Sequence, residues 1–429
     1  MTRRAIIKGM AAAPFVGAAG SVLSASPAQA ATIDAGQFSL TARTSNGYGE
    51  FADLTAGLAT KLPAVDATAV IADVNRSATH LTGAPSTSEA FQTGFAWDSD
   101  DQEVDYWIPQ GVTTSADAYG DGTYPDAGTD RVVLASWYFE DNPDGDTNPD
   151  GTPKPKYALD KGLRLTFVNY NNESAPKYRH VLLVEPVKTA AGEFSFNPIR
   201  KHAGGIMWYG NLLYVVDTYK GLRVFDLNTL FKVPLTEKDV CGLHTDGQYY
   251  GYGYQYVLPQ SRAYDNAGKY LRYTAIGLDR ASTPDSLVVS EYSLSGTVSY
   301  TDGTFNGTGV STTTPKVVRW DLDYTDRQLA SLTATEAVTV GQQKIQGVVS
   351  RQTKHYLSAS NGPSSKGTLR TFTSGGSTAS AVCDLVIGCE DLSYHSSGAS
   401  KWSFSESVIW NVGEYVNKRY VYAVHADGS

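Results

Sequence analysis

Cysteine and methionine are scarce in this sequence, and positive charge is in the minority. Its 429 residues include 3 cysteines and 3 methionines, and 35 lysines and arginines stand against 44 aspartates and glutamates, a net charge of −9. So few cysteines exclude a disulfide scaffold. The acidic balance argues against a protein that binds nucleic acid or an anionic membrane, because both need clustered lysine and arginine.

The three cysteines are Cys241, Cys383 and Cys389. An odd number leaves at least one thiol without a partner inside the chain. Cys383 and Cys389 are close in sequence, but a strand between them would separate them by about 20 Å, whereas a disulfide needs Cα atoms within about 7 Å. We therefore expect no bridge between these two.

Several catalytic signatures are also missing. The sequence contains neither the G-x-S-x-G motif of α/β-hydrolases nor the H-E-x-x-H motif of zinc proteases. It contains neither the dinucleotide-binding glycine fingerprint nor the Gly-Lys-Ser/Thr phosphate loop. The common nucleophile, zinc and nucleotide chemistries are therefore not indicated.

Long apolar runs are absent after the first thirty residues, and those thirty resemble an export signal. Arg3 and Arg4 are adjacent, a short stretch of small apolar residues follows, and Ala28-Gln29-Ala30 gives a small-x-small cleavage pattern. The paired arginines resemble a twin-arginine leader, with a general secretory signal as the alternative. We expect cleavage after Ala30 and a secreted (extracellular) protein, free or loosely attached to the cell wall, with no membrane span.

Apolar residues, glycine and tyrosine are plentiful. Hydrophobic residues make up 41% of the chain, which suffices for a core and excludes general disorder. The 41 glycines and 27 tyrosines indicate many turns and many aromatic strand residues. This composition favours an all-β fold.

One pattern recurs along the chain: an apolar strand, a loop, and a strand that carries arginine beside aromatic residues. A short segment precedes the copies and another apolar strand follows them, so each copy predicts four strands. The paired segments are 131–138 with 162–167, 212–218 with 221–227, 286–292 with 316–322, 355–361 with 367–372, and 401–406 with 418–424. Four-stranded units repeated radially are typical of a β-propeller, here with five blades.

The fifth copy stops after its third strand, so an N-terminal strand must close the ring. The segment 104–109 fits, and pairing the two chain ends would remove a sheet edge. Six blades, using residues 94–97, are the alternative. The inner strand of the third unit starts at Gln260 or covers 271–278. The predicted domains are an export signal (1–30), an extension packed on the propeller (31–100, with a helix near 51–62) and the propeller (101–429).

On one face of a propeller, two rings of side chains surround the central channel. The entrances of the inner strands carry Gln110, His202, Gln260, Gln346 and Glu390, and the ends of the second strands carry Trp137, Tyr138, Asp217, Glu291, Asn361 and Glu406. Polar groups that converge in a concavity fit a small polar ligand. The alternative is that they line a wet channel or hydrogen-bond to neighbouring blades.

Glu390 and Glu406 are the candidate catalytic pair, with Asp217 and His202 beside them. They would stand at the start of one strand and the end of its neighbour, which are adjacent in an antiparallel pair. Two close carboxylates raise one pKa, as a general acid beside a base requires. The same carboxylates with His202 are also suited to a divalent ion.

A calcium loop is a second candidate site. Asp144, Asp146, Asn148 and Asp150 alternate and end at a glycine, as in the first half of a helix–loop–helix calcium loop. The position that needs a bidentate glutamate holds Tyr157 instead, so a solvated loop is the alternative. Further along, tyrosines at 250, 252, 254 and 256 alternate as on one strand face, which suits either sugar stacking or packing between blades.

The chain resembles secreted actinobacterial β-propeller proteins that carry twin-arginine leaders. The residues that carry this resemblance are the leader, W-I-P-Q-G-V at 107–112, H-A-G-G-I at 202–206 and E-D-L-S-Y at 390–394. That group implies no particular reaction. Five-bladed propellers include arabinanases, levansucrase-like enzymes and lectins, but their catalytic motifs are not found here. The stretch 390–406 is similar, at the level of the fold alone, to calcium-dependent lactonase-like propellers.

Three functions follow from these observations. The first is binding of an extracellular glycan, cell wall or small polar molecule in the channel. The second is a glycoside hydrolase or lyase, or a metal-dependent lactonase-like hydrolase, that uses the channel carboxylates. The third is a structural interaction protein of the cell surface. Calcium is the one cofactor that the sequence suggests.

Overall fold

A computed structural model describes residues 31–429 except 84, 86–89, 301–310, 377–378, 400 and 429. The predicted export signal lies outside the described residues. The fold is all-β, as predicted, and the strands pair antiparallel into five four-stranded units, numbered here along the chain. No helix among the described residues is long and apolar enough to cross a membrane.

Each unit is given from its inner to its outer strand. Unit 1 contains Trp107–Thr114, Val132–Phe139, Leu163–Asn169 and Lys177–Lys188. Unit 2 contains Ile206–Tyr209, Leu212–Asp217, Gly221–Asp226 and Tyr256–Asn266. Unit 3 contains Ala275–Asp279, Ser286–Ser290, Lys316–Asp321 and Glu336–Thr339. Unit 4 contains Ile345–Arg351, Lys354–Ala359, Lys366–Thr373 and Ser380–Ile387. Unit 5 contains Cys389–His395, Val408–Gly413, Tyr420–His425 and Phe91–Ala96.

The inner strands form a closed ring. Each contacts the inner strand of the next unit, and that of unit 5 contacts that of unit 1. Both faces of these strands are covered, so they lack an exposed face of alternating polar residues. Trp107–Thr114, the inner strand of unit 1, is buried at every position. The β-propeller prediction is therefore confirmed, while five as the number of blades in the whole chain stays a prediction.

Some neighbouring strands within a unit are joined by short turns. The inner and second strands of unit 2 are connected by Gly210 and Asn211, with Gly210 at a φ of 62°. A two-residue hairpin with a positive φ at its first position needs glycine there. This turn fixes the register that pairs Ile206 with Val215.

The strand that closes unit 5 differs from the predicted one. Phe91–Ala96 pairs with Tyr420–His425, and Gly94 lies opposite Tyr422 so closely that a Cβ would come within 2.7 Å of the Tyr422 Cβ. The predicted closing segment, 104–109, was wrong because Trp107 already begins the inner strand of unit 1. Residues 94–96, on which the six-bladed alternative depended, are part of this closing strand.

The inner strand of unit 3 is Ala275–Asp279, which supports the predicted segment 271–278. The alternative start at Gln260 was wrong, because Gln260 lies in the outer strand of unit 2. The second strand of unit 5 is Val408–Gly413 rather than 401–406. Trp402 and Phe404, which suggested a strand there, instead pack against Trp410 from a turn.

The N-terminal extension packs on units 1 and 2. Leu40–Arg43 pairs with the outer strand of unit 2, and Arg76–Ser77 pairs with that of unit 1. The extension contains the helices Phe51–Ala59 and Ala67–Ala72, the 3-10 turn Ala35–Gln37 and the short strands Ser45–Asn46, Gly49–Glu50, Ala64–Val65 and Thr79–His80. Phe51, Leu54 and Leu58 form the buried face of the first helix.

Smaller elements complete the structure. The helices Ser99–Glu103 and Ser115–Ala118 flank the inner strand of unit 1. Additional strands are Phe194–Pro198, Leu230–Lys232, Cys241–Leu243, Tyr249–Gly251, Val298–Tyr300 and Ser311–Thr313. Cys383 lies in the strand Ser380–Ile387 and Cys389 begins the next strand, so the strand expected between them is present.

Aromatic side chains fill the space between units 1 and 5. Trp97 and Trp137 have ring centroids 5.1 Å apart, and Tyr170 stacks on Trp402 at 5.7 Å. Trp410 packs against both Tyr170 and Trp402. Each buried aromatic removes roughly 150–250 Å² from water. This cluster therefore supports the junction at which the ring closes.

Candidate functional site

A cavity of about 410 Å³ opens at the inner-strand entrances of units 2 and 3. We call it the entrance cavity. It is lined by Tyr138, Phe139, Asp141, Asp160, Arg200, Lys201, His202, Asp217, Thr218, Tyr219, Arg272, Thr274 and Tyr292. These residues end or follow the second strands of units 1 to 3, or precede the inner strands of units 2 and 3. The cavity is thus on the face that the sequence predicted to bind ligand.

Tyr138 and His202 lie against each other at the wall of this cavity. Their ring centroids are 4.5 Å apart at an interplanar angle of 41°. Two residues after His202 comes Gly204, where a Cβ would lie 2.4 Å from the Thr274 carbonyl oxygen. Glycine is therefore required where unit 2 approaches unit 3, and this close approach keeps His202 beside Thr274 in the cavity wall.

Asp217 is the buried carboxylate of the cavity. It ends the second strand of unit 2 and accepts a hydrogen bond from Nε of Arg223 at 3.1 Å. Nη1 of Arg223 donates to Oε1 of Gln260 at 2.6 Å, and Gln260 donates to the carbonyl of Arg262 at 3.1 Å. Gln260 was predicted to bind ligand, but it lies behind Arg223 and holds that guanidinium.

Asp160 and Asp141 come from the long connection between the second and third strands of unit 1. An Asp160 oxygen accepts from the backbone N–H of Gly162 at 2.7 Å, and its carbonyl accepts from Nε of Arg200 at 3.0 Å. Burial raises the pKa of Asp160 and the charge of Asp141 adds to this, while the Gly162 hydrogen bond and Arg200 oppose it. Asp160 is therefore a carboxyl group of the cavity whose pKa is raised by its surroundings.

Arg272 connects the cavity to a buried glutamate. Its guanidinium lies 5.7 Å from the centre of the Tyr219 ring, and its backbone N–H donates to Oε1 of Glu291 at 2.9 Å. Glu291 is buried and also accepts from Nζ of Lys316 at 3.1 Å. Glu291, predicted to contact ligand, is instead an anchor beneath the cavity.

A second polar group lies at the entrances of units 4, 5 and 1. Nε2 of Gln346 donates to Oε1 of Glu390 at 2.6 Å, and Nε2 of Gln110 donates to Oε2 of Glu414 at 3.3 Å. We call these four residues the amide–carboxylate cluster. The structure therefore pairs two predicted residues, Gln346 and Glu390, and pairs the predicted Gln110 with Glu414, which sequence reasoning missed. Glu414 follows the second strand of unit 5, the position given wrongly to Glu406.

The predicted catalytic pair of Glu390 and Glu406 was wrong. In unit 5, Cys389 pairs with Gly413 and His395 pairs with Val408, so the two glutamates lie at opposite ends of this strand pair. Glu406 is exposed and lies 3.2 Å from Nδ1 of His425. The error follows from placing the second strand over 401–406.

Trp137 and Asn361 do not face a ligand either. Trp137 is fully buried, and its indole N–H donates to Oγ1 of Thr166 at 2.8 Å. The Arg164 guanidinium lies 4.3 Å from the Trp137 ring. Asn361 is exposed and donates to the carbonyl of Lys366 at 2.8 Å, so it stabilises a turn.

Around Arg164 lies a sealed set of polar groups, here called the Asp101 cluster: Asp101, Arg164, Tyr178 and His180. Asp101 accepts from Arg164 at 2.7 Å, from Tyr178 at 2.7 Å and lies 2.9 Å from Nε2 of His180. Burial raises the pKa of Asp101, but the charge and hydrogen bond of His180 and the charge of Arg164 outweigh it and hold that pKa well below its usual range. Burial lowers the pKa of His180 to about 4. The cluster attaches the helix Ser99–Glu103 to unit 1.

The predicted calcium loop is organised by turns. Asp150 accepts from the N–H of Thr152 at 3.0 Å, Asn148 donates to the Thr152 hydroxyl at 3.0 Å, and Asp144 lies 3.3 Å from Nζ of Lys156. Asp146 is exposed. Across the described part of the chain, no group of three or more Asp, Glu, His or Cys residues is placed to hold a metal. The loop residues therefore do not form the expected site.

The tyrosines at 250–256 do not share one strand face. A turn with Tyr252 at a φ of 53° separates the strand Tyr249–Gly251 from Tyr256–Asn266. Tyr254 packs edge-on against Trp107, with centroids 6.2 Å apart. Packing, the alternative to sugar stacking, accounts for this row.

No protein-family model matches the chain, and no curated protein matches it. Solved structures similar to it include the RS223 β-xylosidase, at 10% identity and a TM-score of 0.36 over 75% of this chain and 92% of that one. A GH43_1 enzyme from Xanthomonas citri is 8% identical, with a TM-score of 0.35 over 77% of this chain and 93% of that one. Hydrazine synthase of Kuenenia stuttgartiensis is 9% identical, with a TM-score of 0.28 over 75% and 88%. What this chain does must be inferred from its own residues.

Proposed function

We propose that the protein binds a neutral, hydroxyl-rich small molecule of the carbohydrate class in the entrance cavity. The observation that carries this is the lining of the cavity, where aromatic rings and charged groups of both signs surround about 410 Å³. Pockets for small ligands have volumes of roughly 300–1,000 Å³.

The lining favours this ligand class for two reasons. Tyr138, Tyr219 and Tyr292 present rings that can pack on the apolar face of a sugar. Carboxylates and guanidinium groups are acceptors and donors for its hydroxyls. Three aspartates and three basic residues line the cavity, so no single charge sign dominates and a neutral ligand is favoured over a polyanion.

The ligand that we propose is extracellular. The leader-like first thirty residues support export, since they combine paired arginines, a short apolar stretch and a small-x-small cleavage pattern. An extracellular glycan or a fragment of the cell wall is the corresponding ligand.

Glycan arrays and calorimetry test binding. We expect the wild-type protein to retain a glycan, and Tyr219→Ala to weaken that binding by about tenfold, as the loss of one stacked ring predicts. Asp144→Asn is the matched control, because Asp144 is exposed and outside the cavity. Retention no greater than background, or equal binding by Tyr219→Ala, would contradict the proposal.

Hydrolysis of the bound glycan is the second candidate. Asp160 has a raised pKa, whereas Asp217 is paired with Arg223 in the same cavity. Two carboxyl groups whose surroundings differ in this way can serve as acid and base. We expect Asp160→Asn to abolish turnover of an aryl glycoside while leaving glycan binding within about twofold. Turnover that is unchanged in Asp160→Asn would exclude this role.

A further inference from the structure

The amide–carboxylate cluster contains two amide oxygens without a donor. Oε1 of Gln110 and Oε1 of Gln346 are buried and have no hydrogen-bond partner among the described residues. Gln110 is 1% exposed and Gln346 is 5% exposed. Leaving such an acceptor buried and unpaired costs about 1–3 kcal/mol. Two of them at one end of the channel indicate that something else occupies their lone pairs.

These oxygens and the two carboxylates belong to one neighbourhood. Gln346, Glu390 and Gln110 are at the entrances of the consecutive inner strands of units 4, 5 and 1, which contact each other. Glu414 is at the same end of unit 5 as Glu390, because Cys389 pairs with Gly413 and the Glu414 N–H donates to the carbonyl of Gly388 at 3.0 Å.

The hydrogen bonds limit how far apart the oxygens are. The nitrogen and oxygen of one amide are about 2.3 Å apart, given C–N and C=O lengths of about 1.33 and 1.23 Å. Since Nε2 of Gln346 is 2.6 Å from Oε1 of Glu390, Oε1 of Gln346 is at most about 5 Å from that carboxylate oxygen. By the same reasoning Oε1 of Gln110 is within about 6 Å of Oε2 of Glu414.

Within each pair, such spacings allow both oxygens to coordinate one calcium ion. Its oxygen ligands lie at about 2.3–2.6 Å, so two of them can be about 5 Å apart, and side-chain amides and carboxylates are among its usual ligands. Softer metals prefer nitrogen and sulfur ligands, which these four side chains do not offer. Two carboxylates, two amide oxygens and added waters give the six to eight ligands that the ion takes.

We propose that Gln110, Gln346, Glu390 and Glu414 form a calcium site at the mouth of the channel. The site is separate from the entrance cavity, whose lining includes none of the four. It joins units 4, 5 and 1 and therefore ties the ring at its closure. It also differs from the loop at 144–150, which the sequence suggested for the same ion.

Calcium binding to the chelator-treated, full-length protein tests the proposal. Calorimetry with CaCl₂ should show one site on the wild-type protein, and the melting temperature should rise with calcium and fall with chelator. Gln110→Met and Gln346→Met keep side-chain length but remove the oxygen, and Glu414→Gln removes a charge. Each should weaken calcium binding by about tenfold or more, since ligand charge and number set affinity.

The matched control is Asp144→Asn, which should bind calcium as the wild-type protein does. No calcium binding by the wild-type protein overturns the proposal. Binding that is unchanged in all three cluster variants, or lost in Asp144→Asn alone, also overturns it. If one variant fails to fold by circular dichroism, the other two still decide. Glycan binding is measured separately, so failure of the ion site and failure of the proposed function are distinguishable.

Discussion

The third strands of units 1 and 2 start at the same sequence, Gly-Leu-Arg, and the two arginines have different surroundings. Arg164 of unit 1 donates to Asp101 at 2.7 Å, and both side chains are 4% exposed. Arg223 of unit 2 donates to Asp217 at 3.1 Å, and Asp217 lines the entrance cavity. One repeat position thus gives an ion pair beneath a helix in one unit and an ion pair at the wall of the entrance cavity in the next.

The origin of the acid explains the difference. Asp101 belongs to the helix Ser99–Glu103, which precedes the propeller strands of unit 1 and covers Arg164. Asp217 ends the second strand of its own unit and lines the entrance cavity, although its side chain is also only 4% exposed. The repeated arginine therefore pairs with an acid from the preceding helix in unit 1, and with an acid of its own unit at the cavity wall in unit 2.

The largest effect is expected for Asp101→Asn. Removing this charge leaves Arg164 buried without its partner, which costs about 3–5 kcal/mol in the free energy of unfolding. Urea unfolding followed by tryptophan fluorescence measures it. Glycan binding by the remaining folded protein should be unchanged. A loss below about 1 kcal/mol would mean that the ion pair of Asp101 and Arg164 contributes no more to stability than an exposed ion pair does.

Acid should weaken the Asp101 cluster through His180. Its pKa in the folded protein is lowered to about 4 by burial, so the folded state disfavours the proton that the unfolded chain binds near pH 6.5. Stability is therefore complete above pH 6.5 and is lost as the pH falls from 6.5 towards 4.

The measurement compares wild-type protein with His180→Gln in urea at pH 7 and pH 4.5. The wild-type free energy of unfolding should fall by about 2 kcal/mol more than that of the variant over this interval. His355, whose pKa is also lowered to about 4, titrates in both proteins and so cancels in the comparison. Parallel pH curves would contradict the assigned role of His180.

A smaller stability effect is expected for Asp217→Asn. Arg223 keeps its hydrogen bond to Gln260 after the substitution, whereas Arg164 would lose its charged partner, so the loss should be about 1 kcal/mol. Glycan affinity should fall by about tenfold or more because a ligand-facing carboxylate is removed. The reverse pattern, with a large stability loss and unchanged affinity, would make Asp217 a structural residue like Asp101.

The smallest effect is expected for Glu406→Gln. Its carboxylate is exposed at the end of unit 5 opposite Glu390, so unfolding free energy should change by no more than about 0.5 kcal/mol. Glycan affinity and any glycoside turnover should be unchanged. A loss of activity in this variant would restore the catalytic pair with Glu390 that the strand positions exclude.

The repeat is what made the architecture predictable from sequence. Apolar strand pairs with arginine in the second member recur because each unit buries the same kind of sheet, and Arg164, Arg223 and Arg319 all find acidic partners. The boundaries of individual strands were harder to predict than the architecture. Trp402 and Phe404 have strand-like composition but pack from a turn, and this displaced the expected site residue from Glu414 to Glu406.

The sequence indicated which face of the propeller carries the cavity, but it did not indicate most of the residues that line it. His202 and Asp217 were found because the repeat places them at the channel entrance. Asp160, Tyr219 and Arg272 come from connections whose course the repeat does not determine, so no pattern pointed to them. Asp160 lies after a long irregular loop, and only the approach of Arg200 and Gly162 identifies its surroundings.

The closing strand also determines when the ring of five units can close during folding. Phe91–Ala96 pairs with Tyr420–His425, partners more than 300 residues apart along the chain. Contacts of such sequence separation form late, because the loop-closure entropy must be lost before they stabilise anything. Until residues 420–425 have been synthesised, unit 5 lacks its third strand and Phe91–Ala96 presents an open edge that can pair with other chains. During biosynthesis, the risk of aggregation therefore depends on the time between synthesis of Phe91–Ala96 and synthesis of residues 420–425.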